Sequence, residues 1–260
     1  AIWIISFWES LNCTKHFNLI ELGAGNGEMM KILISTFNRF PKFKSSCNIS
    51  ILEKSEFLKK VQKQKIKNKK IKWLDNLNKL DNSPCIFIAN EFFDALPIKQ
   101  FVKIENKWHE RYVKFISKNK SKFLDIPFDI QKLEKKIRFK ISTKQKFIEY
   151  SPLTSLYLES MTNKVKLNNG GILIIDYGYI DKQMKDTLQA VSRHKYTNVL
   201  NNFGNSDITY NLSFNLIDQI IKKMGLFFCS TTTQKKFLTK LGILQRAEIL
   251  SKNMPFSKKA

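Results

Sequence analysis

The sequence predicts an α/β fold, a doubly wound and mostly parallel sheet with a hairpin and helical segment inserted after the fourth strand. Three observations predict it. Phe17–Leu22, Cys85–Ala89 and Ile172–Ile175 are apolar runs too dense for an amphipathic helix, as strands covered on both faces require. Segments of helical period follow or precede them. The first run ends in ELGAGNG, 21–27, where glycines at alternate positions mark a strand-to-helix corner at which the backbone turns sharply and a ligand can approach closely.

Taken in order, residues 2–12 read as the end of a helix beside the first strand, and the chain begins within that element. After the corner, Met29, Ile32, Leu33 and Phe37 give the helical period. NISILEKS, 48–55, alternates as a strand and carries Glu53 to its C-terminal end, where a carboxylate accepts hydrogen bonds from both ribose hydroxyls of a nucleoside. Residues 56–72 read as a short helix anchored by Phe57, Leu58 and Val61, running into a basic loop. Asp75 and Asn76 fall at the next strand-to-loop junction, near where an adenine would lie.

The strand CIFIA delivers Asn90, Glu91 and Asp94 to the ligand-binding edge, and Pro97 holds them in a short turn. Phe101–Phe115 has two alternating runs about ENK, a hairpin pattern, and 116–140 is basic with no clear period. Ser151 and Pro152 open a helix that Asn169, Gly170 and Gly171 end, and the strand beyond it carries Asp176 at its ligand-facing end. Residues 193–210 read as loop. Ser213 caps a helix that Gly225 stops, and a last strand and a terminal helix follow.

With 260 residues, 43% of them hydrophobic, the chain is expected to form one domain over 1–260 with an insertion at about 101–150. No apolar run approaches the roughly 20 residues of a membrane span, and the start lacks the basic region and cleavage site of a signal peptide. Cys13, Cys47, Cys85 and Cys229 are scattered, which argues against zinc and for buried free thiols in a reducing compartment. The 45 Lys and Arg against 22 Asp and Glu are mostly lysine in a chain rich in Asn, Ile and Phe, a solvated surface that implies no specific nucleic-acid partner.

The glycine spacing G-x-G-x-G resembles the S-adenosylmethionine corner of class I methyltransferases. Four blocks together, ELGAGNG (21–27), NEFFDALPIKQF (90–101), IDYGY (175–179) and QKKFLTKLGILQR (234–246), resemble the MidA-like family of methyltransferases. The segment 194–209 followed by Phe214 resembles that family's His, Gly and Asp-x-Thr segment. The family's mitochondrial member is the protein arginine methyltransferase that assists assembly of respiratory complex I. The resemblance implies a Rossmann-like class I methyltransferase sheet and S-adenosylmethionine as cofactor, held by Glu21, Gly23, Gly25, Gly27, Glu53, Asp75 and Asn90. It also implies a protein acceptor, with a respiratory complex I subunit as candidate, and a location in the mitochondrial matrix of a eukaryote or the cytoplasm of a bacterium. Where the family's corner carries Pro and Arg, this chain has Ala24 and Asn26, and the family extends beyond this chain at both ends.

An arginine acceptor keeps its proton to a pKa above about 12, so it must be oriented and relieved of a proton as the methyl arrives. Glu91 and Asp94, at i and i+3 on one turn, are the candidate pair, with Asp176 as a third carboxylate and His194 as a candidate base. Rival readings are an inactive or weakly active assembly factor on the same fold, and an RNA methyltransferase, which the charge favours but the absence of an N-P-P-Y-type motif at the fourth strand does not. A nicotinamide oxidoreductase is disfavoured by the glycine spacing.

Overall fold

The computed structural model describes residues 1–117, 120–193, 195–201, 203–226 and 230–252. In chain order the first part runs α1 (Ile2–Ser10), β1 (Phe17–Leu22), α2 (Glu28–Phe37), α3 (Pro41–Ser46), β2 (Cys47–Leu52), α4 (Glu56–Ile66), β3 (Lys72–Leu74) and β4 (Cys85–Asn90). There follow β5 (Lys99–Ile104), β6 (Lys107–Ser117), β7 (Lys120–Pro127), α5 (Ile130–Ile137), β8 (Phe147–Tyr150), α6 (Pro152–Asn168) and β9 (Gly170–Ile175). The last part comprises β10 (Gly178–Tyr179), β11 (Gln189–Ser192), β12 (Lys195–Thr197), β13 (Asp207–Thr209), β14 (Leu212–Ser213), α7 (Phe214–Lys223), α8 (Gln234–Lys240) and α9 (Ile243–Lys252).

The main sheet has the order β3-β2-β1-β4-β9, with every pairing parallel. The chain moves outward from β1 to β3 and then crosses back to β4 on the other side of β1. That reversal makes β1 and β4 the switch point, where such sheets open a crevice at their C-terminal ends. The apolar runs read from sequence are these central strands. Phe17, Leu19, Ile86 and Ile88 face α1, α2 and α3, while Ile20, Leu22, Phe87 and Ala89 face α6 and α7. Both faces are covered, so the central strands carry apolar residues toward each layer, with Asn18 and Glu21 as buried polar exceptions in β1.

The insertion is larger than a hairpin. A four-stranded antiparallel sheet, β7-β6-β5-β8, has its own small core of Phe101, Leu133, Ile137, Ile148 and Tyr150. The ENK turn is where expected, with Glu105 and Asn106 at positive φ between β5 and β6. The 116–140 segment supplies β7 and α5, and the loop-like 193–210 region supplies β12 and β13, which pair with β11. Ser151 and Ser213 cap their helices as predicted, accepting from the amides of Thr154 and Leu216 at 3.2 and 3.3 Å. His194, Cys229 and most of the expected last strand lie outside the described residues.

Three expectations about packing fail. In α2 the inward residues are Met30, Leu33 and Phe37, and Ile32 points to solvent. In α4 Phe57 is 73% exposed, and the buried residues are Lys59 and Gln62. Cys13 is exposed and Cys47 half-buried, so of the described cysteines only Cys85 is a buried thiol.

On the α1 side, Phe43 packs its ring against Trp8, Phe17 and Phe37 at centroid distances of 5.3, 5.3 and 4.6 Å. Removing that ring leaves a cavity beneath β1. Phe43→Ala should therefore cost about 3–5 kcal/mol in urea unfolding, whereas Phe57→Ala, on the exposed face of α4, should change stability by less than about 0.5 kcal/mol. Equal losses at the two positions would contradict the assigned packing.

Candidate functional site

The site is built from the ends of four strands. Beyond β1 the amide of Gly23 donates to the carbonyl of Leu52 at 3.0 Å, beyond β2 that of Glu53 donates to Leu74 at 3.2 Å, and beyond β4 that of Glu91 donates to Ile175 at 2.9 Å. Each bond extends a parallel ladder by one residue. Gly23, Glu53 and Glu91 thus emerge on one edge, and Asn90, the last residue of β4, sits one step past the Leu22–Ala89 pair.

At the corner Gly23, Gly25 and Gly27 all have positive φ, +65°, +51° and +82°. Their reasons differ. A Cβ on Gly23 would lie 2.6 Å from the ring of Phe92, so that glycine makes room for the chain's own aromatic as well as for the turn. A Cβ on Gly25 would meet nothing within 4 Å and would project into open space above the corner. Gly27 precedes the first turn of α2, whose amide groups point toward the corner as such helix starts do.

Glu21, one residue before the end of β1, is 2% exposed, and its Oε2 has no hydrogen-bond partner. Burial pushes its carboxyl up to about 7. Glu53 is buried too, but each of its oxygens is engaged. Oε1 accepts from the Ser55 amide at 2.9 Å and Oε2 from Gln62 Nε2 at 3.0 Å. Because a carboxylate has about four lone-pair positions, roughly one remains open on each oxygen.

Asp75 lies just past β3 as predicted, but its carboxylate meets Lys59 Nζ at 2.6 Å and Lys79 Nζ at 3.5 Å. Those lysines hold its carboxyl below the usual carboxylate range, Lys59 most of all. Asn76 turns its side chain to the amide of Asn78, closing a local turn.

The structure brings Glu91, Asp94 and Asp176 together. Glu91 is exposed at φ +46° and Asp94 is 6% exposed. Burial first, and then the charge of Glu91, raise the Asp94 carboxyl. Asp176, the third carboxylate read from sequence, has partners within the chain. Its Oδ2 accepts from the amides of Phe93 and Asp94 at 3.0 and 3.3 Å, and its Oδ1 from its neighbour Tyr177 at 2.9 Å. It braces the turn that carries Glu91 and Asp94. Burial and the adjacent Asp94 charge raise its carboxyl to about 6.

Sequence reasoning missed three residues here. Gln62 donates to both the Gly25 carbonyl and Glu53, Lys59 holds Asp75, and Phe92 packs against Gly23 and edge-on to Tyr157. Only Phe92 carried a signal, as part of the NEFFDALP block. A glutamine and a lysine in a lysine-rich helix read as solvated surface.

Comparison with known proteins gives the same architecture. A family model described as "Putative S-adenosyl-L-methionine-dependent methyltransferase" matches residues 1–231. The chain is 26% identical over 274 residues to protein arginine methyltransferase NDUFAF7, mitochondrial, of Xenopus laevis, covering 96% of this chain and 62% of that protein. The human protein of the same name is 25% identical over 276 residues, with 96% and 62% covered. The chain therefore spans about 62% of the length of these relatives. Two solved structures from Burkholderia thailandensis superpose at 19% identity. One, bound to S-adenosyl-homocysteine, has a TM-score of 0.75 over 95% of this chain and 66% of its own; the other has 0.76 over 99% and 70%. The glycine corner, Glu53 and the Asp176 brace at the switch point all lie within the matched residues, and the chain belongs to the S-adenosyl-L-methionine-dependent methyltransferase family that this model describes.

Proposed function

We propose that this chain, one domain with a sheet insertion, is an S-adenosylmethionine-dependent methyltransferase that acts on an arginine of a protein acceptor. The observation that carries the reading is the unpartnered, buried Oε2 of Glu21 beneath a glycine corner that is open above Gly25. A buried carboxylate without a partner is costly and calls for a cation, and the cofactor's amino-acid end carries an ammonium group. The two open acceptor positions of Glu53 suit a vicinal diol, and Asn90 and the corner flank the same crevice. The residues present fit the group.

Bound there, S-adenosylmethionine would supply a methyl on a sulfonium, open to in-line displacement by a nucleophile. The protein's own work is at the turn after β4. Glu91 and Asp94 would pair with the guanidinium and aim one nitrogen at the crevice, and the Asp94 carboxylate, its proton affinity raised, would take the proton released. Asp176 serves this through the backbone by fixing Phe93 and Asp94. A protein acceptor, as the relatives' names suggest, is supported by the β6–β7 arm. There Tyr112, Ile116, Leu124 and Ile126 are exposed apolar residues interleaved with Lys114 and Lys122, a surface better suited to protein than to nucleic acid. A respiratory complex I subunit is the candidate acceptor that the resemblance implies. The relatives are named mitochondrial, which supports the matrix for a eukaryotic source, with the cytoplasm for a bacterial one.

Two outcomes test this reading. Because folding raises the Glu21 carboxyl from 4.5 to about 7, the native state binds the extra proton between those values, and stability of the cofactor-free protein falls as pH climbs through that window. Glu21→Gln should therefore match the parent near pH 4.5 and exceed it above pH 7 by up to about 3 kcal/mol in thermal or urea unfolding. S-adenosylhomocysteine should stabilise the parent more than the variant at pH 8. A variant less stable than the parent at pH 8 without ligand would contradict the unpaired charge.

The second outcome concerns Glu91→Gln and Asp94→Asn. Each should leave S-adenosylhomocysteine affinity nearly unchanged in calorimetry and lower transfer of labelled methyl to an arginine-bearing protein by roughly a hundredfold to ten-thousandfold. Loss of cofactor affinity in proportion to activity would move these residues to the cofactor pocket.

A further inference from the structure

Gln62 breaks the pattern of its helix. On α4, where Glu56, Lys60, Lys63 and Gln64 are exposed, it is fully buried at 0% exposure while Phe57 faces out. A glutamine amide has two N–H donors and one carbonyl acceptor, and burying it unpaired is costly. Here all of these groups are used. Nε2 donates to the Gly25 carbonyl at 2.9 Å and to Glu53 Oε2 at 3.0 Å, and Oε1 accepts from Trp73 Nε1 at 2.9 Å. Because an indole nitrogen can only donate, the amide oxygen must face Trp73 and the NH2 must face the corner and the acid. Three separate segments, the turn after β1, the end of β2 and strand β3, are thereby tied to one side chain.

The consequence falls on Glu53. Ser55 holds its Oε1 and, through the Ser55 hydroxyl, also caps α4 by accepting from the Leu58 amide at 3.2 Å. Gln62, about two turns further along the same helix, holds Oε2. Each carboxylate oxygen is thus held by a partner from the start or the middle of α4.

We propose that Gln62 is a positioning residue: it sets Glu53 and the glycine corner in a fixed relation, so that vicinal ribose hydroxyls meet a preset carboxylate. The proposal rests on the cofactor reading given above. It predicts a selectivity effect that loss of packing alone would not produce, because a misoriented Glu53 loses its grip on the hydroxyls while the rest of the crevice still binds.

The test is calorimetric binding of S-adenosylhomocysteine and of its 2′-deoxyribose analogue to the parent, to Gln62→Met and to Trp73→Phe, with thermal melts of each. The parent should prefer the ribose form by about tenfold or more, the size expected for a hydrogen bond to a charged group. Gln62→Met, which keeps the length of the side chain and removes its polar groups, should bring that preference close to unity. Trp73→Phe, which keeps a ring and removes the donor that sets the amide, should reduce it part way and serves if the first variant does not fold. Val61→Ala on the same helix should weaken stability without changing the ratio. A Gln62→Met protein that melts cooperatively and keeps the parent's ratio would overturn the inference and leave the cofactor reading intact. A parent that binds neither ligand would overturn both.

Discussion

The site depends on parallel strands that end level. Three backbone hydrogen bonds, from Gly23 to Leu52, from Glu53 to Leu74 and from Glu91 to Ile175, carry the ladders one residue past the strand ends. A parallel ladder fixes register on both sides, and a one-residue slip would turn every side chain to the opposite face. Here both faces are covered, so such a slip would drive Phe87 and Leu19, both fully buried, into the opposite helical layer, which is packed around other side chains. The apolar burial that holds the sheet together therefore also fixes where the glycine corner, Glu53 and the turn carrying Glu91 and Asp94 stand relative to one another.

On that frame the polar residues fall into two groups. Glu53, Asp75 and Asp176 have partners within the chain and are held in place by them. Glu21 and Asp94 are buried, and their carboxyls are raised chiefly by that burial. Buried carboxylates of this kind cost stability in the free protein and would recover it beside a cation. Asp176 links the two groups. It bonds the backbone of the turn and so holds it in place, while burial and the charge of Asp94 raise its own carboxyl to about 6.

Much of this was legible in the sequence because it is local. A glycine corner after an apolar run, an acid closing the next strand, and a serine before a helix are each specified by a few adjacent residues, and each stands where the sequence put it. What was not legible depends on partners distant in sequence. Asp176 is separated from Phe93 by 83 positions, and nothing near IDYGY announces that it braces that turn. Gln62 and Lys59 looked like surface because their neighbours are lysines; only the packing of α4 against the corner turns them inward. The strands β7, β12 and β13 lack strong alternation and owe their conformation to the strands they pair with.

The proposed cofactor site is the crevice at the β1–β4 switch point, and a crystal structure of this protein with S-adenosylhomocysteine would test it. The ribose hydroxyls should lie on the two open positions of Glu53, the amino group within hydrogen-bonding distance of Glu21 Oε2 or linked to it through one water, and the chain of the ligand over Gly25. A ligand bound elsewhere, or bound at this edge with Glu53 and Glu21 both untouched, would contradict it.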